Sequence, residues 1–128
     1  MTDTKKVILC PACGNLMSKI YMPEEGLDLD FCNDGCGGIF FDSQELEKFD
    51  KPTDNAEEII NIANNTFFNP VNDKIDRICP ACGINMVKEY IEKADITIDI
   101  CNFCGGKFLD NGEFQKIRDL KKITTLLS

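Results

Sequence analysis

The sequence predicts a small α+β protein of two cross-linked hairpin units, each followed by a helix and joined by a helical linker. Three observations carry that expectation. All eight cysteines fall into four close pairs. The segment from Cys10 to Asp42 returns as Cys79 to Asp110. Within each copy, alternation of apolar and polar residues gives way to helical spacing. Half of a 128-residue chain buries only a thin apolar core. Each unit therefore needs a staple, and the class expected is a small metal-stapled α+β fold.

The repeat organises the chain. Cys10-Pro-Ala-Cys13-Gly14, with Met17 and Tyr21 after it, returns 69 residues later as Cys79-Pro-Ala-Cys82-Gly83, with Met86 and Tyr90. Cys32 returns as Cys101 at that offset. Cys36-Gly-Gly-Ile-Phe-Phe-Asp42 returns as Cys104-Gly-Gly-Lys-Phe-Leu-Asp110 at an offset of 68, because the first copy has one extra residue between its second pair of cysteines.

The elements follow in order. Leu27, Leu29 and Phe31 alternate with Asp28 and Asp30, and Ile96, Ile98 and Ile100 with Thr97 and Asp99, the period of a half-buried strand. Their partner strands are expected over Met17 to Met22 and Met86 to Ile91, with Tyr21 and Tyr90 packing across the hairpins. Pro23 to Gly26 and Glu92 to Asp95 supply the turns. Asp42 and Asp110 are N-cap residues with Glu45 and Glu113 at capping-box spacing. They predict a short helix near Ser43 to Phe49, ended before Pro52, and a longer one carrying Phe114, Ile117, Leu120, Ile123 and Leu127 on one face. Between the units, Asp54 caps a third helix with Ala56, Ile59, Ile60, Ala63 and Phe67 at helical spacing. The expected organisation is a first unit with its short helix over 1–50, a helical linker over 51–72, and a second unit with its longer helix over 73–128. The linker's apolar face packs on the units or, alternatively, pairs with a second copy of the chain.

Met1 to Lys6 is polar and charged, unlike a secretory signal, so a cytoplasmic protein is expected. No apolar run approaches the roughly 20 residues of a membrane helix. In a reducing compartment, paired cysteines are metal ligands rather than disulfides. The formal charge is −8, and two four-thiolate sites around a divalent ion bring it to about −12. Such a field disfavours nucleic acid and favours basic surfaces. Residues 1–50 hold ten acidic and four basic side chains, whereas residues 79–128 hold seven of each. Asp28, Asp30, Asp34 and Glu45 either steer a basic partner or keep the protein soluble.

A structural zinc site takes four soft ligands from two close pairs. Cys10, Cys13, Cys32 and Cys36 leave two, 18 and three residues between them; Cys79, Cys82, Cys101 and Cys104 leave two, 18 and two. Gly14, Gly37, Gly83 and Gly105 follow the second cysteine of each pair, where the chain turns tightly enough to need positive φ. Other chemistries fit less well. A Cys-Pro-Ala-Cys dithiol enzyme wants a βαβ context, and here a strand follows instead. Four sulfurs suit iron as well as zinc, and the Cys-Pro-x-Cys-Gly loops are similar to those of rubredoxins, which carry electrons. Hydrolytic zinc needs an open position and usually histidine, of which the chain has none.

Cys-Pro-x-Cys, a hairpin, then Cys-x-x-Cys-Gly-Gly-x-Phe-Leu-Asp-x-Gly-Glu is the pattern of Cys79 to Phe114, including Asp110, Gly112 and Glu113. It resembles the small zinc ribbons of the transcription factor IIB type. Cys10 to Leu46 follows the pattern with two departures, the extra residue before Cys36 and Gln44 in place of glycine. The resemblance implies two tandem zinc ribbons with one zinc ion each, but says little about function. The expectation is a non-enzymatic adaptor or regulatory protein facing a protein partner. Nucleic-acid binding through Lys116, Arg118, Lys121 and Lys122 on the last helix is the first alternative, and rubredoxin-like electron transfer the second. Phe40, Phe41 and Phe108 are expected in the core rather than on a base-stacking platform.

Overall fold

The computed structural model describes residues 8–22, 26–33, 35–42, 71–72 and 74–117. The alternating segments form two hairpins, β1 (Ser18–Met22) with β2 (Leu27–Phe31) and β4 (Val87–Ile91) with β5 (Ile96–Ile100). Alternation sets their register, since a slip of one residue would turn every isoleucine of β5 onto the opposite face. The first turn closes at Gly26, with φ of 71° and its N–H donating to the Met22 carbonyl at 2.9 Å. The second turns at Asp95, with φ of 54°, which a short polar side chain tolerates better than most.

Each unit has a third strand that the alternation did not reveal, β3 (Ile39–Phe41) and β6 (Lys107–Leu109). Three residues are too few to display a period of two. These strands join the units. β3 pairs antiparallel with β6, giving, among the described residues, one six-stranded sheet in the order β1-β2-β3-β6-β5-β4. The register places Phe40 opposite Phe108, its own repeat equivalent, so the copies are related by an approximate two-fold axis through that pair. A single row crosses all six strands as Lys19, Asp30, Phe40, Phe108, Asp99 and Lys88, the same read from either end.

The opposite face of the sheet carries Met22, Leu29, Phe31, Ile39, Phe41, Ile96, Ile98 and Leu109, packed with Phe114 and Ile117. Residues 113–117 are helical. Glu113 Oε1 accepts a 2.7 Å hydrogen bond from the Asp110 N–H, so this turn is capped as its spacing predicts. Phe41 meets Phe114 at 5.4 Å between ring centroids. The helix expected near 43–49, the linker helix and the continuation of the last helix lie outside the described residues.

Two expectations are corrected. Asp30, expected to steer a basic partner or keep the protein soluble, and Asp99, at a polar position of an alternation read as half-buried, are each 2% exposed, because β2 and β5 are interior strands with both faces covered. Asp30 is consequently no surface group for steering a partner. Lys19 and Lys88, directly across β1 and β4, reach Asp30 Oδ1 at 2.5 Å and Asp99 Oδ1 at 2.8 Å. Tyr21 and Tyr90, expected to pack across the hairpins, are exposed on edge strands, and Tyr90 reaches across its hairpin through its hydroxyl, which donates to Asp95 at 2.8 Å.

Candidate metal centres

Each first cysteine pair sits on a tight loop closed by backbone hydrogen bonds. Cys10 N–H donates to Asn15 O at 2.7 Å and Gly14 N–H to Cys10 O at 2.9 Å; Cys79 to Ile84 and Gly83 to Cys79 repeat this at 2.8 Å. Each second pair is closed the same way. Cys32 N–H donates to Gly38 O and Gly37 N–H to Cys32 O, matched by Cys101 to Gly106 and Gly105 to Cys101. The φ of Gly14, Gly37, Gly83 and Gly105 lies between 76° and 82°, which only glycine adopts at little cost.

These loops bring Cys10, Cys13, Cys32 and Cys36 together, and likewise Cys79, Cys82, Cys101 and Cys104, with the sulfurs of each set within 4.8 Å of one another. Cys10 Sγ lies 3.5 Å from Cys36 Sγ, Cys13 Sγ 3.4 Å from Cys32 Sγ and Cys79 Sγ 3.8 Å from Cys104 Sγ. A tetrahedron of sulfurs about 2.3 Å from zinc has edges of about 3.8 Å. The donor sets therefore fit a tetrahedral ion. N–H groups also point at the sulfurs, Asn15 Nδ2 at Cys13 Sγ (3.3 Å) and the Gly106 backbone at Cys104 Sγ (3.4 Å). Such bonds orient a thiolate and stabilise its charge.

The extra residue of the first copy is accommodated by Gly35. A Cβ there would lie 2.5 Å from Asn15 Nδ2 and 2.7 Å from Cys13 Sγ. The longer loop thus folds in against the sulfurs, and only glycine fits.

Without metal the sulfurs compete for protons. The hydrogen bond from Cys36 holds Cys10 down at about 5 and pushes Cys36 well up, while burial raises Cys32 to about 11. In the second set, the Cys104 contact raises Cys82 to about 12. Burial also opposes ionisation of Cys101, but the backbone N–H groups of Cys104 and Phe103 outweigh it and bring that thiol to about 7. Loading the first site at neutral pH must expel at least the protons of Cys32 and Cys36. Protons then compete with metal, so affinity falls as pH falls. The expected loss is at least about a hundredfold per pH unit at the first site, two protons being displaced. Competition titrations against a chelator at pH 6 and pH 8, corrected for the chelator's own protonation, measure it; an affinity independent of pH would show that loading displaces no proton from Cys32 or Cys36.

Among the basic residues expected on a nucleic-acid face, Lys116 is exposed. Arg118, Lys121 and Lys122 lie outside the described residues. Phe40, Phe41 and Phe108 are fully buried. The residue that sequence reasoning missed is Arg77. Its Nη1 donates to Asp99 Oδ2 at 2.9 Å and Asp110 Oδ1 at 2.7 Å, its Nη2 donates to the Asn72 carbonyl at 3.2 Å, and the guanidinium lies 5.4 Å over the Phe108 ring. Burial opposes its charge, yet Asp110 and Asp99 raise its pKa above the ordinary value. A signal existed. Arg77 stands two residues before Cys79, where the first copy has Ile8 before Cys10.

Compared with known families, residues 9–49 and 78–119 match the transcription factor zinc-finger model of the IIB ribbon type. No curated protein and no solved structure gave a match.

Proposed function

The chain belongs to the transcription factor zinc-finger family as a pair of tandem zinc ribbons, and on that premise we propose that it is a non-enzymatic, cytoplasmic adaptor. Each ribbon holds one zinc ion and the pair presents a rigid surface to a protein partner. Four sulfurs complete a tetrahedral shell and leave no position for substrate, which supports a structural rather than hydrolytic metal. The family favours zinc over iron. The purified protein is expected to be colourless and to return two zinc ions per chain on elemental analysis; iron in their place would redirect the reading to electron transfer.

The observation that carries the protein partner is Phe103, which stands 81% exposed between Cys101 and Cys104. A large apolar side chain held in water on a loop stapled at both ends suits an interface anchor, and its conformational entropy is already restricted. The first copy has the polar Asn33-Asp34-Gly35 in the same loop, so the second ribbon is the one read as the recognition surface. A pull-down with the tagged, metal-loaded chain tests this. A protein retained after nuclease treatment, and weakened about 30-fold by Phe103→Ser, is the expected result, a hot-spot anchor being worth 2 kcal/mol or more. Capture abolished by nuclease would overturn it in favour of nucleic-acid binding, with Lys116 on the contacting helix.

A further inference from the structure

The second glycine of each Cys-Gly-Gly motif has a role beyond its own loop. Gly38 closes the first ribbon's second loop by accepting from the Cys32 N–H, and Gly106 closes the second ribbon's by accepting from the Cys101 N–H. A Cβ on Gly38 would overlap the tip of the Phe108 ring, and a Cβ on Gly106 would lie 2.6 Å from Phe40 Cζ and 3.3 Å from Cys104 Sγ. The aromatic rings are thus exchanged between ribbons, each lying on the metal loop of the other. Phe40 and Phe108 are 0% exposed and belong to one continuous buried cluster that includes cysteines of both sets.

We propose that the two metal sites load as one cooperative unit, each ion ordering the glycine loop against which the other ribbon's phenylalanine packs. An ion bound to Cys10, Cys13, Cys32 and Cys36 fixes Gly38, hence Phe108 and strand β6, which leads directly from Cys104. The reverse path runs from the second set through Gly106 to Phe40 and β3. Binding at one site pre-orders part of the other, and linkage makes the effect equal in both directions. Arg77 fixes Phe108 from above through Asp99 and Asp110, so the ring transmits the position of the loop.

The test is a Zn²⁺ titration of the full, reduced, metal-free chain in competition with a chromophoric chelator. The wild type is expected to take two ions with a Hill coefficient above about 1.5, below the ceiling of two sites. Removing the first site with Cys10→Ser/Cys13→Ser should weaken the second at least tenfold, and Cys79→Ser/Cys82→Ser should weaken the first by the same factor. Gly38→Ala, which drives a methyl into Phe108, should weaken both sites. Adding Phe108→Leu should recover at least threefold at each, a rescue that a fault confined to the first ribbon would not show. Two ions bound independently, with the remaining site within threefold of wild type in both cysteine variants, would overturn the coupling while leaving metal binding intact. A chain that takes up no Zn²⁺ would overturn both.

Discussion

A strong chelator added under reducing conditions is expected to unfold the described sheet as a whole. Structural zinc sites in small units bind with apparent free energies of about 10–16 kcal/mol, against about 5–15 kcal/mol for the entire stability of an ordinary domain. Loss of the ions therefore exceeds what the remaining contacts supply. The loops bearing Cys10 and Cys79 meet the sheet through buried sulfurs, Met17, Met86 and the two central phenylalanines, and the Cys79 loop also through the Arg77 ion pairs. Circular dichroism and a thermal melt before and after chelation measure the effect. A metal-free, reduced chain that still melts cooperatively would show that the apolar layer around Leu29, Phe31 and Phe41 is sufficient by itself.

Replacing Arg77 with alanine should cost about 3 kcal/mol, the lower end of the range for breaking a buried ion pair. The substitution leaves Asp99 buried and takes a partner from Asp110, while Lys88 continues to neutralise part of the charge. It also removes the cation from the Phe108 face. Urea unfolding of the metal-loaded protein reads the change, with Lys74→Ala, at an exposed position, as a control expected within about 0.5 kcal/mol of wild type. Arg77→Ile should be milder than Arg77→Ala, because Ile8 packs against the buried cluster at the equivalent position of the first copy. Equal stabilities for Arg77→Ala and wild type would show that the network contributes specificity of fold but little free energy.

The contrast between the copies bears on how such ribbons diverge. Lys19–Asp30 and Lys88–Asp99 are repeat equivalents and make the same cross-strand pair. Arg77 is an addition on one side only, and so is Phe103. The second ribbon therefore carries both the buried guanidinium and the exposed aromatic, whereas the first carries the glycine-lined longer loop. A shared sheet allows this division, because the stability gained in one ribbon reaches the other through β3 and β6.

The two four-cysteine clusters and the hairpins were legible in the sequence because both are local. Spacing within a pair decides whether two thiolates can share an ion, and alternation over five residues decides which face of β2 or β5 turns inward. The capping of 113–117 by Glu113 was legible for the same reason, three residues being one helical turn. The joining of the ribbons was not. It rests on a three-residue strand in each copy, on rings exchanged across an approximate two-fold axis, and on glycines whose need is set by a residue 70 positions distant in the one case and 66 in the other. Burial of Asp30 and Asp99 escaped for the same cause: alternation says which way a side chain points, while only the neighbouring strands say whether water waits there. Contacts within a few residues dictate the two four-cysteine units and their hairpins, so both can be read from local pattern. That the units share one sheet depends instead on pairing between segments 66 to 70 residues apart, which no local pattern encodes.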